Sequence, residues 1–267
     1  MISPVGAIDE YLDLDPLSVR IETHQRYSEH YDDVEQAALD ALPLTDVSAV
    51  LDIGCGTGSF LRRLRSDGRV DHLAGLDQSP AAVQSLAELP DVAAVLGDAC
   101  FLPFDDAQFD VVTARHMLYH VADVSLALRE SMRVTRAGGR LVAIVNHAGT
   151  TPHVERLVRD AVAHVTGLEP ASGMPRVHSD NAPGFIRDVY GNVAVRPYDN
   201  ALIFRSPEPL VSYAVALLAF FGIGTDDPAR PDVARQIDRR ARAALATQGL
   251  WRDPKGYVVC VAQVPSR

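Results

Sequence analysis

The stretch from residue 50 to residue 60, VLDIGCGTGSF, constrains the fold of this chain more than any other. A short apolar run typical of a buried strand ends at Asp52 and Ile53, and glycines follow at positions 54, 56 and 58 before the helical pattern FLRRLRS. Glycine is needed where a chain turns sharply or where its backbone approaches a ligand closely, and the helix that follows presents N–H groups at its start. We therefore predict a strand, a binding loop and a helix, in that order.

From residue 48 onward, short strand-like runs alternate with helical patterns, which is typical of a parallel sheet flanked by helices. Ser79 is a good N-cap with Pro80 in the first turn of its helix, and Asp123 is placed to cap a later helix. Gly138 and Gly139 are expected to turn the chain into the fifth strand. The five predicted strands lie near 48–53, 72–76, 92–96, 109–113 and 140–146.

The segments outside this block are predicted more loosely. Residues 22–42 read as one or two helices with Tyr27 and Tyr31 on one face, and residues 167–184 are rich in Pro, Gly and Ser. The remaining predicted elements are helices over 153–166, 208–221 and 229–247 and strands over 193–204 and 256–264.

Length and charge limit the possible functions. A chain of 267 residues is near the upper size for one hydrophobic core, so we expect one main domain with an insertion. A net charge of −10 disfavours general binding to nucleic acids or anionic membranes, which leaves small molecules or proteins as partners.

Cysteine usage and the N-terminus indicate a cytoplasmic protein. The three cysteines are far apart without CxxC pairs, which suits a reducing compartment. The start, MISPVGAIDEYLDLD, lacks the basic and apolar regions of a signal peptide, and the apolar run 210–224 is shorter than the ~20 residues that cross a bilayer.

Two acids follow the second and third predicted strands. Asp77 comes about 20 residues after the glycine loop, the distance expected of a ribose-binding acid, and Asp98 follows the next strand. Since ligands of an open parallel sheet bind beyond the carboxyl ends of its strands, both acids should lie at the edge that carries the loop. Asp77 can accept hydrogen bonds from ribose hydroxyls, and Asp98 from an adenine amino group; alone, each would be an ordinary turn residue.

These motifs together resemble the core of class I S-adenosylmethionine-dependent methyltransferases. The resemblance runs through VLDIGCGTG, GLDQS, GDACFLPF, FDVVTARHML and RAGGRL over residues 48–146. It implies an α/β fold with a Rossmann-like seven-stranded sheet whose last strand is antiparallel, together with a helical cap. The long insertion is similar to that of small-molecule methyltransferases of bacterial secondary metabolism.

The resemblance also implies a domain layout and a set of cofactor contacts. The layout is an N-terminal helical lid over 1–45, a core over 46–147, a cap insertion over 148–255 and a final strand over 256–267. The implied cofactor is S-adenosyl-L-methionine. Residues implied at its site are Tyr27, Tyr31, Asp52, Gly54, Cys55, Gly56, Gly58, Asp77, Gln78, Asp98, Ala99, Arg115 and His116. For the two tyrosines, ordinary amphipathic packing is an equal alternative.

The histidines are the candidates for catalysis. His116 and His120 are four residues apart in ARHMLYHV, which on a helix would suit a zinc ion, but Met117 replaces the glutamate of a metalloprotease helix and a third ligand is missing nearby. We therefore predict no metal site. His116 is a candidate base or acceptor contact, His147 is another, and His120 is predicted to be a packing residue.

Several alternatives stay open at this stage. A nicotinamide-dependent oxidoreductase would carry GxGxxG or GxGxxA, whereas the sixth position counted from Gly54 is Ser59. A cofactor-binding partner protein without catalysis is a second alternative. The apolar run 209–223 is expected to pack against the flank of the sheet, with a roof over a hydrophobic acceptor pocket or a homodimer contact as alternatives. The preferred hypothesis is methyl transfer to a small organic acceptor on O, N or C.

Overall fold

The computed structural model describes residues 15–42, 47–68, 70–170 and 176–266. Its centre is a seven-stranded sheet in the order β3-β2-β1-β4-β5-β7-β6. Strands β1 to β5 pair in parallel, and β7 runs antiparallel to β5. The predicted seven-stranded fold with an antiparallel last strand is therefore confirmed. The strands are β1 Ala49–Ile53, β2 His72–Asp77, β3 Val92–Leu96, β4 Phe109–Arg115, β5 Thr135–Asn146, β6 Ala194–Phe204 and β7 Trp251–Gln263.

Helices connect these strands, and two short 3₁₀ turns, Leu118–His120 and Leu218–Phe221, complete the regular structure of the described ranges. The helices are α1 Asp15–Tyr27, α2 Val34–Ala41, α3 Ser59–Asp67, α4 Pro80–Ala87, α5 Val124–Val134, α6 Pro152–Thr166, α7 Ala182–Tyr190, α8 Pro207–Ala216 and α9 Arg230–Gln248. The predicted caps of α4 and α5 are confirmed, since Ser79 accepts from the N–H of Ala82 and Asp123 from that of Leu126.

Hydrophobic residues cover both faces of the sheet. Every residue of β1 is buried, as expected of a parallel strand between two layers of helices. Alternate residues face opposite sides, so Leu51 belongs to one apolar cluster and Val50 to the other. Asp52 therefore lies on the same face as Val50, where α3 packs through Phe60.

The fifth strand begins earlier than expected. It starts at Thr135 directly after α5, and its pairing with β4 shifts register between Phe109 and Val111. The predicted glycine turn at Gly138 and Gly139 lies inside this irregular part of the strand. Gly138 has a φ of +78°, and its N–H donates to Val264 O of the neighbouring chain segment. The turn is thus a local irregularity of β5 rather than its beginning.

The chain divides into two compact units. Of the described residues, the sheet unit holds 33–42, 47–68, 70–148, 176–198 and 257–266, and the helical unit holds 15–32, 149–170 and 199–256. The division differs from the predicted layout over 33–42, which the prediction placed in the N-terminal lid, and over 176–198, which it placed in the cap insertion. In the sheet unit, α7 buries Tyr190, whose hydroxyl lies 2.8 Å from the hydroxyl of Ser131 on α5.

The helical unit has its own apolar core. Leu210, Tyr213 and Leu218 are buried there, so the apolar run 209–223 packs in the core of this unit, whereas the prediction was packing against the flank of the sheet. The arginines of α9 lie on its solvated face, where Arg235 pairs with Asp232 and Arg242 with Asp238 of the same helix.

The predicted shared helix face of Tyr27 and Tyr31 is wrong. α1 ends at Tyr27 because the chain then extends, with Ser28 bridging Leu202 and the N–H of Glu29 donating to Ala201 O at 2.8 Å. Tyr27 packs against Phe204, with ring centroids 5.4 Å apart.

Among the described residues, no helix combines the length and the apolar character needed to cross a bilayer.

Gly75 on β2 gives a test of how tightly the helices pack on the sheet. A Cβ there would lie 2.3 Å from Leu86 and 2.7 Å from Leu61. We expect Gly75→Val to lower the free energy of unfolding by about 1–3 kcal/mol, the usual cost of overpacking. Chemical denaturation followed by circular dichroism measures this. Gly184→Ala on α7, where a Cβ meets nothing within 4 Å, is the control and should not destabilise. Equal effects of the two substitutions would contradict the packing argument.

Candidate functional site

The glycine loop joins β1 to α3 through residues whose backbone only glycine adopts easily. Gly54, Gly56 and Gly58 have φ values of +68°, +54° and +76°. The N–H groups of Gly54 and Cys55 both donate to Leu76 O, at 2.7 and 3.2 Å, which folds the loop over the end of β2. A Cβ on Gly54 would lie 2.6 Å from the Cβ of Met117, so the loop is also closed against the turn after β4.

Asp77 ties the loop to the end of β2. Its Oδ2 accepts from the N–H of Gly56 at 2.9 Å, and its Oδ1 accepts from the N–H of Ser79 at 2.9 Å. Burial raises the pKa of Asp77, while these two backbone hydrogen bonds oppose the shift. The next residue, Gln78, is exposed.

Asp98 follows the neighbouring strand and lies beside Asp77 in the sheet, because the N–H of Gly97 donates to Asp77 O at 3.0 Å. Its side chain is exposed, and its Oδ1 accepts from the N–H of Cys100 at 2.8 Å. Ala99 is buried. Two exposed apolar side chains, Leu96 and Phe101, flank this acid in the chain. These two residues were not predicted from the sequence. The signal that could have indicated them is the presence of an apolar residue on each side of Asp98.

Asp52 is fully buried at the end of β1 and is paired there. Thr113 Oγ1 donates to its Oδ1 at 2.6 Å, and Arg115 Nη2 donates to its Oδ2 at 2.8 Å. The guanidinium of Arg115 also lies over the ring of Phe60, 4.2 Å from its centroid. Thr113 and Phe60 were missed in the sequence, because only the register of β4 against β1 places Thr113 opposite Asp52.

His116 and His120 do not share a helix face. His116 has a left-handed φ of +52° at the end of β4, and its N–H donates to Ile144 O at 2.8 Å. His120 ends the 3₁₀ turn, with its ring 4.4 Å from that of Tyr119. Within the described ranges, no group of three or more His, Cys, Asp or Glu side chains is arranged to hold a metal ion.

An aromatic row extends from His116 within the sheet unit. The ring of His116 meets Tyr257 edge-on at 6.1 Å, and Tyr257 stacks on Tyr198 at 4.9 Å. Arg196 lies over Tyr198, with its guanidinium carbon 5.0 Å from the ring centroid. His147 follows β5 and is half-buried.

The structure thus brings together most, but not all, of the residues that we had selected. Tyr27 and Tyr31 belong to the helical unit, where Tyr31 is 91% exposed. The residues gathered at the carboxyl edge of the sheet are Asp52, Gly54, Cys55, Gly56, Gly58, Asp77, Gln78, Asp98, Ala99, Arg115 and His116. A glycine loop with positive φ values, next to carboxylate acceptors at two neighbouring strand ends, is suited to hold a nucleoside.

Comparison with known proteins agrees with this geometry. Residues 51–143 match the model of a methyltransferase domain family. The demethylmenaquinone methyltransferase of Mycolicibacterium gilvum is 42% identical over 138 residues, which are 50% of this chain and 59% of that protein. The 2-phytyl-1,4-naphtoquinone methyltransferase of Thermosynechococcus vestitus is 37% identical over 40% of this chain and 49% of that protein. The chain spans about half the length of the curated relatives that it matches.

Solved structures share the fold over nearly the whole chain. The [4+2]-cyclase SpnF aligns with a TM-score of 0.63 at 17% identity, covering 98% of this chain and 96% of that protein. A protein of Anabaena variabilis assigned as a methyltransferase of an antibiotic biosynthesis pathway aligns with a TM-score of 0.64 at 18% identity, covering 86% and 96%. Residues 51–143 thus match a methyltransferase domain family, and the seven-stranded sheet around them has the fold of class I S-adenosylmethionine-dependent methyltransferases.

Proposed function

We propose that this protein transfers a methyl group from S-adenosyl-L-methionine to a small organic acceptor. The observation that carries the proposal is the glycine loop bonded to Asp77 through Gly56, with Asp98 at the next strand end, inside the segment that matches the methyltransferase domain. This arrangement holds a nucleoside cofactor at the edge of the sheet where the strands end.

Each residue of the site has a role in the proposal. Asp77 accepts hydrogen bonds from the ribose hydroxyls, and Asp98 accepts one from the adenine amino group. The backbone of Gly54, Cys55, Gly56 and Gly58 lets the cofactor approach closely, and Asp52, held by Arg115, anchors the start of this loop. The backbone at Arg115 and His116 borders the sulfonium, while Gln78 and Ala99 complete the proposed set of cofactor contacts within the sheet unit.

Methyl transfer from a sulfonium does not require a covalent intermediate with the protein. When bound, S-adenosyl-L-methionine supplies a methyl group that is already activated by the sulfonium. The chain's residues must align the acceptor in line with this bond and exclude water, and alignment of this kind is worth up to about 7–11 kcal/mol in model reactions. A base helps when the acceptor is a hydroxyl or a carbon acid. His116 is our first candidate for that base, because it is half-buried at the carboxyl edge beside Arg115, and His147 is the second.

The names of the relatives support a quinone-type acceptor as the first to assay. Demethylmenaquinone and 2-phytyl-1,4-naphtoquinone methyltransferases are among the relatives. Their similarity covers 40–50% of this chain, so about half of the chain or more lies outside it. A role in secondary metabolism is supported by the resemblance of the insertion and by the fold neighbour assigned to antibiotic biosynthesis.

A second candidate function is cofactor binding without methyl transfer. A fold neighbour that covers 98% of this chain is a cyclase by its description. One fold supports unrelated reactions, and the site decides which one occurs. The nicotinamide oxidoreductase that we considered from the sequence has no comparable support.

Cofactor titration and a methyl-transfer assay test the proposal directly. We expect S-adenosylhomocysteine, but not NADH, to bind in calorimetry, and we expect labelled methyl to appear in an acceptor from a panel of quinols, phenols and amines. Tight binding of NADH without S-adenosylhomocysteine would overturn the proposal. Binding of S-adenosylhomocysteine without transfer to any acceptor would favour the second candidate.

Asp77→Ala tests the ribose assignment. We expect it to weaken S-adenosylhomocysteine binding roughly tenfold to a hundredfold, since a hydrogen bond to a charged group is worth about 1.5–3 kcal/mol. Asp71→Ala, an exposed acid just before β2, is the matched control and should change nothing. Full affinity in Asp77→Ala would exclude Asp77 from the cofactor site.

The raised pKa of Asp77 adds a pH signature. The carboxylate is the form that binds the ribose, and burial moves its pKa above the ordinary value. Affinity for S-adenosylhomocysteine should therefore be full above this raised pKa and fall as the pH drops through it. The decline should begin at a higher pH than ordinary Asp titration predicts and should be absent in Asp77→Asn.

His116→Gln tests the candidate base. If the acceptor must lose a proton, we expect kcat to fall about 100-fold or more, because general base catalysis typically contributes 10²–10⁴. Binding of S-adenosylhomocysteine should be unchanged. His120→Gln, in the adjacent 3₁₀ turn, is the control. Loss of kcat in His147→Gln with full activity in His116→Gln would transfer the role to His147.

A further inference from the structure

The loop between β3 and β4 carries Asp98 but has little regular structure of its own. Residues 97–108 contain neither helix nor strand. A loop of this length in a compact domain must be tied down by side chains or it samples several conformations. Its start is anchored by the buried side chains of Ala99, Cys100 and Leu102. The stronger ties come from two charged residues of α5.

Arg133 of α5 binds the loop with its whole guanidinium. Nη1 donates to Phe104 O and to Asp106 Oδ1, both at 2.8 Å, and Nη2 donates to Leu102 O at 2.9 Å. Nε and Nη2 also donate to the two oxygens of Glu130, at 2.7 and 2.8 Å. A guanidinium has five N–H donors in a fixed plane, and the five contacts of Arg133 match that number. Lysine has no equivalent planar geometry.

Glu130, on the same helix, also binds the loop, and we call Glu130 and Arg133 together the clamp. Glu130 Oε2 accepts from the N–H of Leu102 at 2.9 Å, so the two charged residues hold both the N–H and the carbonyl of this one loop residue. The hydrogen bonds that Arg133 donates to Glu130 lower the pKa of Glu130 and raise the pKa of Arg133. The pair therefore stays ionised at neutral pH, and the clamp does not depend on a proton.

A short series of bonds links the clamp to the carboxylate of Asp98. The N–H of Phe101 donates to Asp98 O at 3.0 Å, and the N–H of Cys100 donates to Asp98 Oδ1 at 2.8 Å. Leu102, the residue held by Glu130 and Arg133, comes next in the chain. The orientation of the Asp98 carboxylate is therefore coupled to α5 through the backbone between Asp98 and Leu102.

We propose that Glu130 and Arg133 are positioning residues that set the orientation of Asp98 toward the amino group of the adenine. This proposal rests on the proposed function, in which Asp98 accepts from that group. The clamp acts on recognition of the base and not on the methyl-transfer step, because its contacts are with the loop of Asp98. The proposal predicts that substitution of Glu130 or Arg133 reduces the selectivity of the protein for the adenine base.

The test compares two ligands that differ only at this amino group. S-adenosylhomocysteine has the adenine amino group, and its 6-deamino analogue, in which purine replaces adenine, has a hydrogen atom in its place. The ratio of their dissociation constants, measured by calorimetry, reports the Asp98 contact. We expect wild type to prefer S-adenosylhomocysteine, Asp98→Ala to lose the preference, and Arg133→Gln to reduce it about tenfold. Glu130→Gln should reduce this preference less than Arg133→Gln does, because the glutamine amide has lost the charge but still offers one acceptor oxygen.

Controls separate positioning from general damage. Arg129→Gln, an exposed arginine of the same helix, should keep the wild-type ratio. In an Asp98→Ala background, Arg133→Gln should leave the ratio unchanged, because the contact through which it acts is already gone. Circular dichroism verifies folding, and Arg133→Lys, which keeps the charge but not the fork, replaces any variant that fails to fold.

The outcomes distinguish this proposal from the proposed function. A folded Arg133 variant with the wild-type ratio overturns the positioning role, as does an equal loss of affinity for both ligands. Binding of neither ligand by wild type would instead refute the proposed function.

Discussion

A buried carboxylate at the end of β1 sets the conditions for the rest of the site. Asp52 has no exposed surface, and a buried charge without a partner costs several kcal/mol. Its partners, Thr113 and Arg115, are both on β4, so this strand must lie beside β1 in one register. The stacking of Arg115 on Phe60 extends the same constraint to α3. One ion pair thus joins two strands and a helix where the glycine loop begins.

The glycine loop starts next to this ion pair and is held by further hydrogen bonds and contacts. Gly54 leaves β1 with a positive φ that lets two N–H groups reach Leu76 O, and Asp77 then holds Gly56 from the neighbouring strand. Met117, just after β4, closes the other side of Gly54. The glycine loop is therefore held in place by backbone hydrogen bonds and contacts within the sheet unit. Such preorganisation suits the proposed methyl transfer, in which alignment of the reacting groups lowers the barrier.

Features that depend on interactions between residues close in the sequence were predictable, whereas features that depend on distant residues were not. Helix caps such as Ser79 and Asp123 were predictable because a cap acts on residues two or three positions away. α7 was missed, since Pro183 and Gly184 interrupt a short apolar face of Ala182, Ile186 and Tyr190 that α5 stabilises from outside. Tyr31 was misplaced because a bridge between Ser28 and Leu202, more than 170 residues apart, ends the helix before it.

The sequence by itself determined the order of the strands and of the helices other than α7, the glycine loop, and the two acids at neighbouring strand ends. These features depend on local periodicity, on the conformational freedom of glycine and on the rule that parallel strands end at one edge. Only the tertiary structure decided which partners neutralise Asp52, how His116 and His120 separate, and how Arg133 and Glu130 hold the loop of Asp98. These contacts join residues that lie about 30–60 positions apart or adopt uncommon backbone angles, and no spacing in the sequence encodes them.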